Sequence, residues 1–202
     1  MTPADLAQRI RKEAEGRGRF ITALAGPPGA GKSTLAAAVV AALGEGARVV
    51  PMDGFHYDDR VLAQRGLTKR KGAPETFDVL GFLHLMHRLR EGGEVAIPVF
   101  DRQMELSRAA ADVVTDEDRF LVVEGNYLLL EEDPWRRLRG FFDLTVFLDV
   151  PFPELERRLV QRGMQAGRTP EAAADWANSN DLPNARRVLD RSCPADAVIR
   201  WQ

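Results

Sequence analysis

Between the apolar run Phe20-Ile21-Thr22-Ala23-Leu24-Ala25 and an alanine-rich stretch from Ser33 to Leu43 lies Gly26-Pro27-Pro28-Gly29-Ala30-Gly31-Lys32-Ser33. This segment satisfies the pattern G-x-x-x-x-G-K-[ST] in full, and its flanks are those the pattern needs: a run of strand length before it, and a helical run stopped by Gly44 after it. Glycines let successive backbone N–H groups turn inward, and a helix start adds partial positive charge. A lysine reaches outer phosphate oxygens, and a serine hydroxyl can ligate a divalent cation. A phosphate-binding set is therefore expected at Gly26, Pro27, Pro28, Gly29, Ala30, Gly31, Lys32, Ser33 and Thr34.

The chain is 202 residues long, 45% apolar and 29% charged, enough for one domain around a sheet of several strands. Its formal net charge of -2 offers no general attraction for nucleic acid, so none is expected as a partner. Cys193 is the single cysteine, which excludes an intrachain disulfide and suits a reducing compartment, the cytoplasm. No apolar run reaches the roughly 18 residues of a membrane span. Asp5, Glu13 and Glu15 stand where a secretory signal would be apolar. Pro3 to Ala14, with Leu6 and Ile10 four apart, predicts a short surface helix rather than a membrane anchor.

Further along, Arg48 to Met52 predicts a strand with an irregular or edge end at Pro51, followed by Asp53. Asp78 caps a predicted helix in which Val79, Phe82, Leu83, Met86 and Leu89 recur at helical spacing before Gly92-Gly93. Val95 to Phe100 and Ala110 to Val114 can pair as a hairpin around a long polar connection, a small excursion around 94–115. Phe120 to Val123 and Leu144 to Leu148 are runs of buried-strand type, ending at Glu124 and Asp149. Glu154 to Gln165 and Pro170 to Asn178 are helical, and Ala197 to Ile199 is a last strand. Alternating strands and helices imply an α/β fold, a three-layer α/β/α sandwich with a mainly parallel sheet, with ligands at the carboxyl ends of its strands.

The loop alone does not separate phosphoryl-transfer enzymes from guanine-specific switches. An Asn-Lys-x-Asp run is absent, and Asp78-Val79-Leu80-Gly81, which fits D-x-x-G, opens an amphipathic helix. Asp53-Gly54-Phe55-His56-Tyr57 admits two readings, a carboxylate that takes an acceptor's proton beside pocket-forming rings or an Asp-Gly turn with aromatics capping the core, and local composition alone favours the turn. Glu124-Gly125-Asn126 has the form of a strand-end acid that helps hold hydrated magnesium; a loop cap is the bland alternative, and the complete phosphate loop upstream favours the metal. Arg157, Arg158, Arg162 and Arg168 are either a lid around 157–170 that closes on phosphates or a solvated face interleaved with Glu154 and Glu156. His84 and His87, three apart on one helix, lack a third metal ligand and read as surface residues.

Together these segments resemble the phosphoribulokinase, uridine kinase and bacterial pantothenate kinase family of P-loop kinases from Ile21 to Ile199. Besides Gly26 to Ser33, Val50 to His56 is similar to the family's D-x-F segment, Lys71 to Asp78 to its stretch before the helix, and Pro98-Val99-Phe100-Asp101 to its P-x-Y-D segment. Glu124-Gly125 fits its E-G. The Pro98 to Arg102 run and the ending Asn180-Asp181-Leu182-Pro183-Asn184-Ala185 look most like a short bacterial subgroup described as fructose-transport kinases or fructokinases. Met52 and Gln103 to Ser107 depart from the uridine kinase pattern, and Phe100 stands where the family has tyrosine.

The resemblance implies an ATP- and Mg²⁺-dependent kinase acting on a small-molecule hydroxyl, with fructose foremost and a nucleoside or pantothenate as alternatives. Implied roles are catalysis by Asp53, Lys32, Arg158 and Arg162, metal ligation by Ser33 and Glu124, and a nucleotide contact from Arg168. Acceptor contacts are implied at Asp53, Phe55, His56, Tyr57, Phe100, Asp101, Arg102 and Asn126. A second copy of the chain stays open as a partner.

Overall fold

The computed structural model describes residues 1–200. Five parallel strands form the central sheet: β1 (Phe20–Ala25), β2 (Ala47–Pro51), β5 (Phe120–Gly125), β6 (Leu144–Asp149) and β7 (Ala197–Arg200), in the order β2-β5-β1-β6-β7. Pro51 ends an edge strand, the place in a sheet where a missing N–H is best tolerated.

Helices α1 (Pro3–Glu13), α2 (Lys32–Leu43), α5 (Phe152–Gln165), α6 (Pro170–Trp176) and α7 (Leu182–Arg191) accompany the sheet, with α3 (Asp59–Gln64) and α4 (Val79–Glu91) between β2 and the hairpin. Alternation along the strands divides two cores. Ile21, Ala23, Leu121 and Val123 pack with Phe82, Met86 and Leu89 of α4. Phe20, Leu24 and Val122 pack with Ala36 and Val39 of α2, Leu6 and Ile10 of α1, and Leu155 and Leu159 of α5. The expected three-layer α/β sandwich is what forms. No helix among the described residues is long and apolar enough to cross a membrane.

Strand β3 (Val95–Asp101) pairs antiparallel with β4 (Leu106–Val114) in a separate two-stranded sheet. The second strand begins four residues before the Ala110 expected from sequence, so the long polar connection becomes a short turn. Leu106 to Ala111 carry no buried side chain, which leaves no apolar alternation to reveal the pairing. Helix α7 is likewise absent from the sequence expectation, which assigned no element there; Pro183 stands in its first turn, where proline forfeits an N–H that has no partner anyway. Between α6 and α7 the chain makes a π-helical turn, Ala177–Asp181.

Candidate active site

Register brings the candidate residues to one end of the sheet. Pro51 of β2 lies beside Glu124 of β5, and Gly125 lies beside Ala25 of β1, so the phosphate loop, Glu124 and Asp53 leave three neighbouring strands together.

Glycines make this convergence possible. A Cβ on Gly26 would stand 2.9 Å from the Leu148 carbonyl, and one on Gly125 would stand 2.5 Å from Cβ of Met52. At Gly54 it would meet the Pro98 carbonyl at 2.3 Å, so the hairpin seats on the Asp53 turn only because residue 54 lacks a side chain. Gly29 and Gly31 hold φ of 81° and 90°, and Gly29 packs against Leu159 of α5. Pro27, Pro28 and Ala30 are buried beneath the loop, whereas Ser33 and Thr34 are exposed at the start of α2. No side chain among the described residues caps that helix start, so its first N–H groups remain available to an anion.

Lys32 is buried: its Nζ donates to Asn126 Oδ1 at 2.6 Å and to the Pro27 carbonyl at 3.0 Å. Burial pulls its ammonium down to about 8, against the attraction of Glu124 and Asp53. Ser33 Oγ donates to Glu124 Oε1 at 3.0 Å. Burial, reinforced by the Asp53 charge, pushes the Glu124 carboxyl up despite Lys32 and Ser33. A carboxylate held above its ordinary pKa beside a hydroxyl is a site that gains from a hard divalent cation.

Asp53 sits in a short 3₁₀ turn, Met52–Phe55, and accepts from Arg102 at 3.1 Å. His56 lies between the rings of Phe77, 3.9 Å away, and Phe100, 5.1 Å away, and burial lowers its pKa. Arg65 covers the ring of Tyr57 at 4.3 Å, and Lys71 approaches that of Phe100 at 5.6 Å.

Two expected acceptor contacts are otherwise engaged. Phe55 packs on the apolar core, 4.9 Å from Phe82, as the core-capping alternative held. Asp101 accepts from the backbone N–H groups of Gln103 and Met104 and from Arg108, so it closes the hairpin turn, and these hydrogen bonds hold its carboxyl below the ordinary range.

The arginines divide. Arg158 Nη1 donates to the carbonyls of Gly29 and Ala30 and so braces the loop from outside, while Nε meets Glu154. Arg162 pairs with Asp181 at 3.2 Å, and Arg168 lies 4.9 Å over the ring of Trp176. Arg157 points to Glu154 and Gln161 at the surface. His84 and His87 are exposed on α4, and no cluster of metal-ligating side chains occurs among the described residues. Tyr127 and Asp181 are functional candidates that local sequence does not mark; for the first, the available signal was a tyrosine directly after Glu124-Gly125-Asn126.

A glycine phosphate loop at the end of a parallel strand, its lysine and serine tied to residues of the neighbouring strand end, defines the chain as a P-loop phosphate-binding protein. The phosphoribulokinase / uridine kinase family model matches residues 20–200, and the chain belongs to that family. Escherichia coli (strain K12) YggC, a protein named as uncharacterized, is 33% identical over 186 residues, 90% of this chain and 77% of the relative. A provisionally named uridine kinase of Schizosaccharomyces pombe, C227.14, is 32% identical over 201 residues, 90% of this chain and 83% of the relative. The crystal structure of a provisionally named fructose transport system kinase from Silicibacter sp. TM1040 is similar over 100% of both chains, with 46% identity and a TM-score of 0.94.

Proposed function

We propose that the chain transfers the γ-phosphoryl group of ATP to a hydroxyl of a small polar metabolite, with sugars the leading class and fructose the first candidate. One observation carries the reading: Lys32, Ser33, Glu124 and Asp53 leave three neighbouring strands at one end of the sheet. The donors fit a magnesium nucleotide, since the Ser33 hydroxyl and Glu124 carboxylate are hard oxygen ligands 3.0 Å apart beside an uncapped helix start.

Bound there as its magnesium complex, ATP supplies the phosphoryl group. Residues 26–34 would hold the phosphates, Ser33 and Glu124 the metal, and Arg168 the outer part of the nucleotide. Lys32, Arg158 and Arg162 bear on the charge of the transferring group, Arg158 partly by holding the loop in shape. The Asp53 carboxylate orients the acceptor hydroxyl and takes its proton, with Arg102 holding its Oδ2. His56, Tyr57, Phe100 and Arg102 line the acceptor side, and Asn126 keeps Lys32 in place.

The sugar class is supported by what the Silicibacter protein is named for, together with 46% identity along the whole chain. The name of the Schizosaccharomyces relative favours a nucleoside instead. Steady-state turnover against a panel of sugars, nucleosides and pantothenate decides between them. Turnover confined to nucleosides reassigns the acceptor. Nucleotide binding without turnover of any acceptor makes the chain a regulator.

A further inference from the structure

Two segments marked by the family resemblance, Lys71 to Asp78 and Asn180 to Ala185, touch the site described above through Lys71, Phe77 and Asp181, and the fold also joins them to each other. The first is a loop locked from within: Gly72 N–H donates to Thr76 Oγ1 at 3.0 Å, and fully buried Thr76 donates on to the Ala73 carbonyl at 2.7 Å. From the sheet side, Tyr127, the neighbour of the Asn126 that holds Lys32, donates to the Gly72 carbonyl at 2.5 Å. Beyond the loop, the Lys71 ammonium meets Asp59 at 2.8 Å and the Glu105 carbonyl at 3.1 Å, at the hairpin tip.

The second segment reaches the same loop from the other side. Asn180, fully buried, donates Nδ2 to the Lys71 carbonyl at 2.7 Å, and Asn184 donates to its Oδ1 at 3.4 Å, which sets the amide's orientation. The next side chain, Asp181, accepts from Arg162. Both lie in the π-helical turn, whose extra residue re-aims side chains relative to an α-helix. Buried asparagine and aspartate cost stability where apolar residues would pack, so their partners are the reason for their presence.

We infer that Asn180 and Asp181 are positioning residues that tie Arg162 of α5 to the acceptor-side loop 71–76, so that nucleotide binding on one side orders the other. This rests on the kinase reading. Arg162, drawn toward phosphate, carries Asp181 with it. Asn180 passes the displacement to the Lys71 carbonyl, and the Lys71 ammonium passes it to the hairpin that bears Arg102.

The test is hydrogen exchange of the full chain with and without the magnesium complex of AMP-PNP, alongside calorimetry of its binding. In the parent, the analogue slows exchange in residues 71–76 and in α5, each by roughly tenfold. Asn180→Ala and the nearly isosteric Asp181→Asn are expected to bind the analogue within about threefold of the parent and to protect α5. In both, 71–76 stays at its free rate. If Asn180→Ala does not fold, Asp181→Asn decides alone. Parental protection of 71–76 in Asp181→Asn overturns the inference, as does a parent whose 71–76 loop does not respond to the analogue. A parent that does not bind the analogue at all overturns the kinase reading, and the inference with it.

Discussion

Arg102, in the turn of the β3–β4 hairpin, donates to Oδ2 of Asp53 at 3.1 Å, joining the hairpin to the carboxylate that follows β2. The Arg102 side chain is 65% exposed, and ion pairs in that setting add little stability, so the contact matters for orientation. Asp53→Asn keeps the shape and removes the charge and the ability to take a proton. Turnover is expected to fall roughly 10² to 10⁴-fold with nucleotide affinity nearly unchanged. The lower end is expected, because a loose transition state releases the hydroxyl proton late. Arg102→Gln is expected to raise the acceptor KM about tenfold and to lower kcat less than Asp53→Asn does. Single-turnover transfer and calorimetry measure both variants, and a near-parental rate in Asp53→Asn would return Asp53 to a simple turn.

Lys32, drawn down to about 8 by burial, is partly neutral in the free protein at mildly alkaline pH. Phosphates restore its charge, so nucleotide binding at pH 8 should take up roughly half a proton and none at pH 6.5. Calorimetry in buffers of different ionisation heat reads this directly. For stability the sign follows from a folded pKa below the ordinary 10.5. The unfolded chain holds more protons between about 8 and 10.5, so the Lys32 contribution to stability rises with pH through that window, and its cost is complete below it. Lys32→Ala should remove the proton uptake along with turnover.

Glu124 is a carboxylate whose charge the folded chain resists. Glu124→Gln preserves the acceptor for Ser33 and removes the charge, so the ligand-free protein should gain stability while turnover is lost and nucleotide affinity becomes insensitive to magnesium. Chemical denaturation with and without magnesium tests it, and a destabilised variant would show that the Lys32 attraction outweighs burial.

Gly54→Ala places a methyl group 2.3 Å from the Pro98 carbonyl, both of them backbone-anchored and unable to rotate away. A loss of about 1–3 kcal/mol is expected, with a drop in kcat because the hairpin moves away from Asp53. Unchanged denaturation and turnover would mean that the hairpin is seated by other contacts, such as Ser107 to the His56 carbonyl.

The phosphate loop, the parallel strands and helix α4 were legible in the chain because each is written in neighbours: glycines where the loop needs positive φ, apolar runs of strand length, and Asp78 accepting from Gly81 at the helix start. The strand-end acids were legible as candidates for the same reason. Leu106 to Ala111 of β4 and helix α7 were hidden because neither leaves a local pattern; one is exposed, and the other begins as a turn would.

What the amino-acid order determined by itself is the phosphate loop and the alternation of strand and helix, since these depend on backbone freedom and periodicity within a few residues. Tertiary structure alone decided which groups meet: Asp53 with Arg102, 49 positions apart, Lys32 with Asn126, 94 apart, and Asn180 with the Lys71 carbonyl, 109 apart. It also decided that Lys32 is buried and that Arg158 braces the loop. Such contacts depend on strand order and register, which bring together residues whose local sequences say nothing of one another.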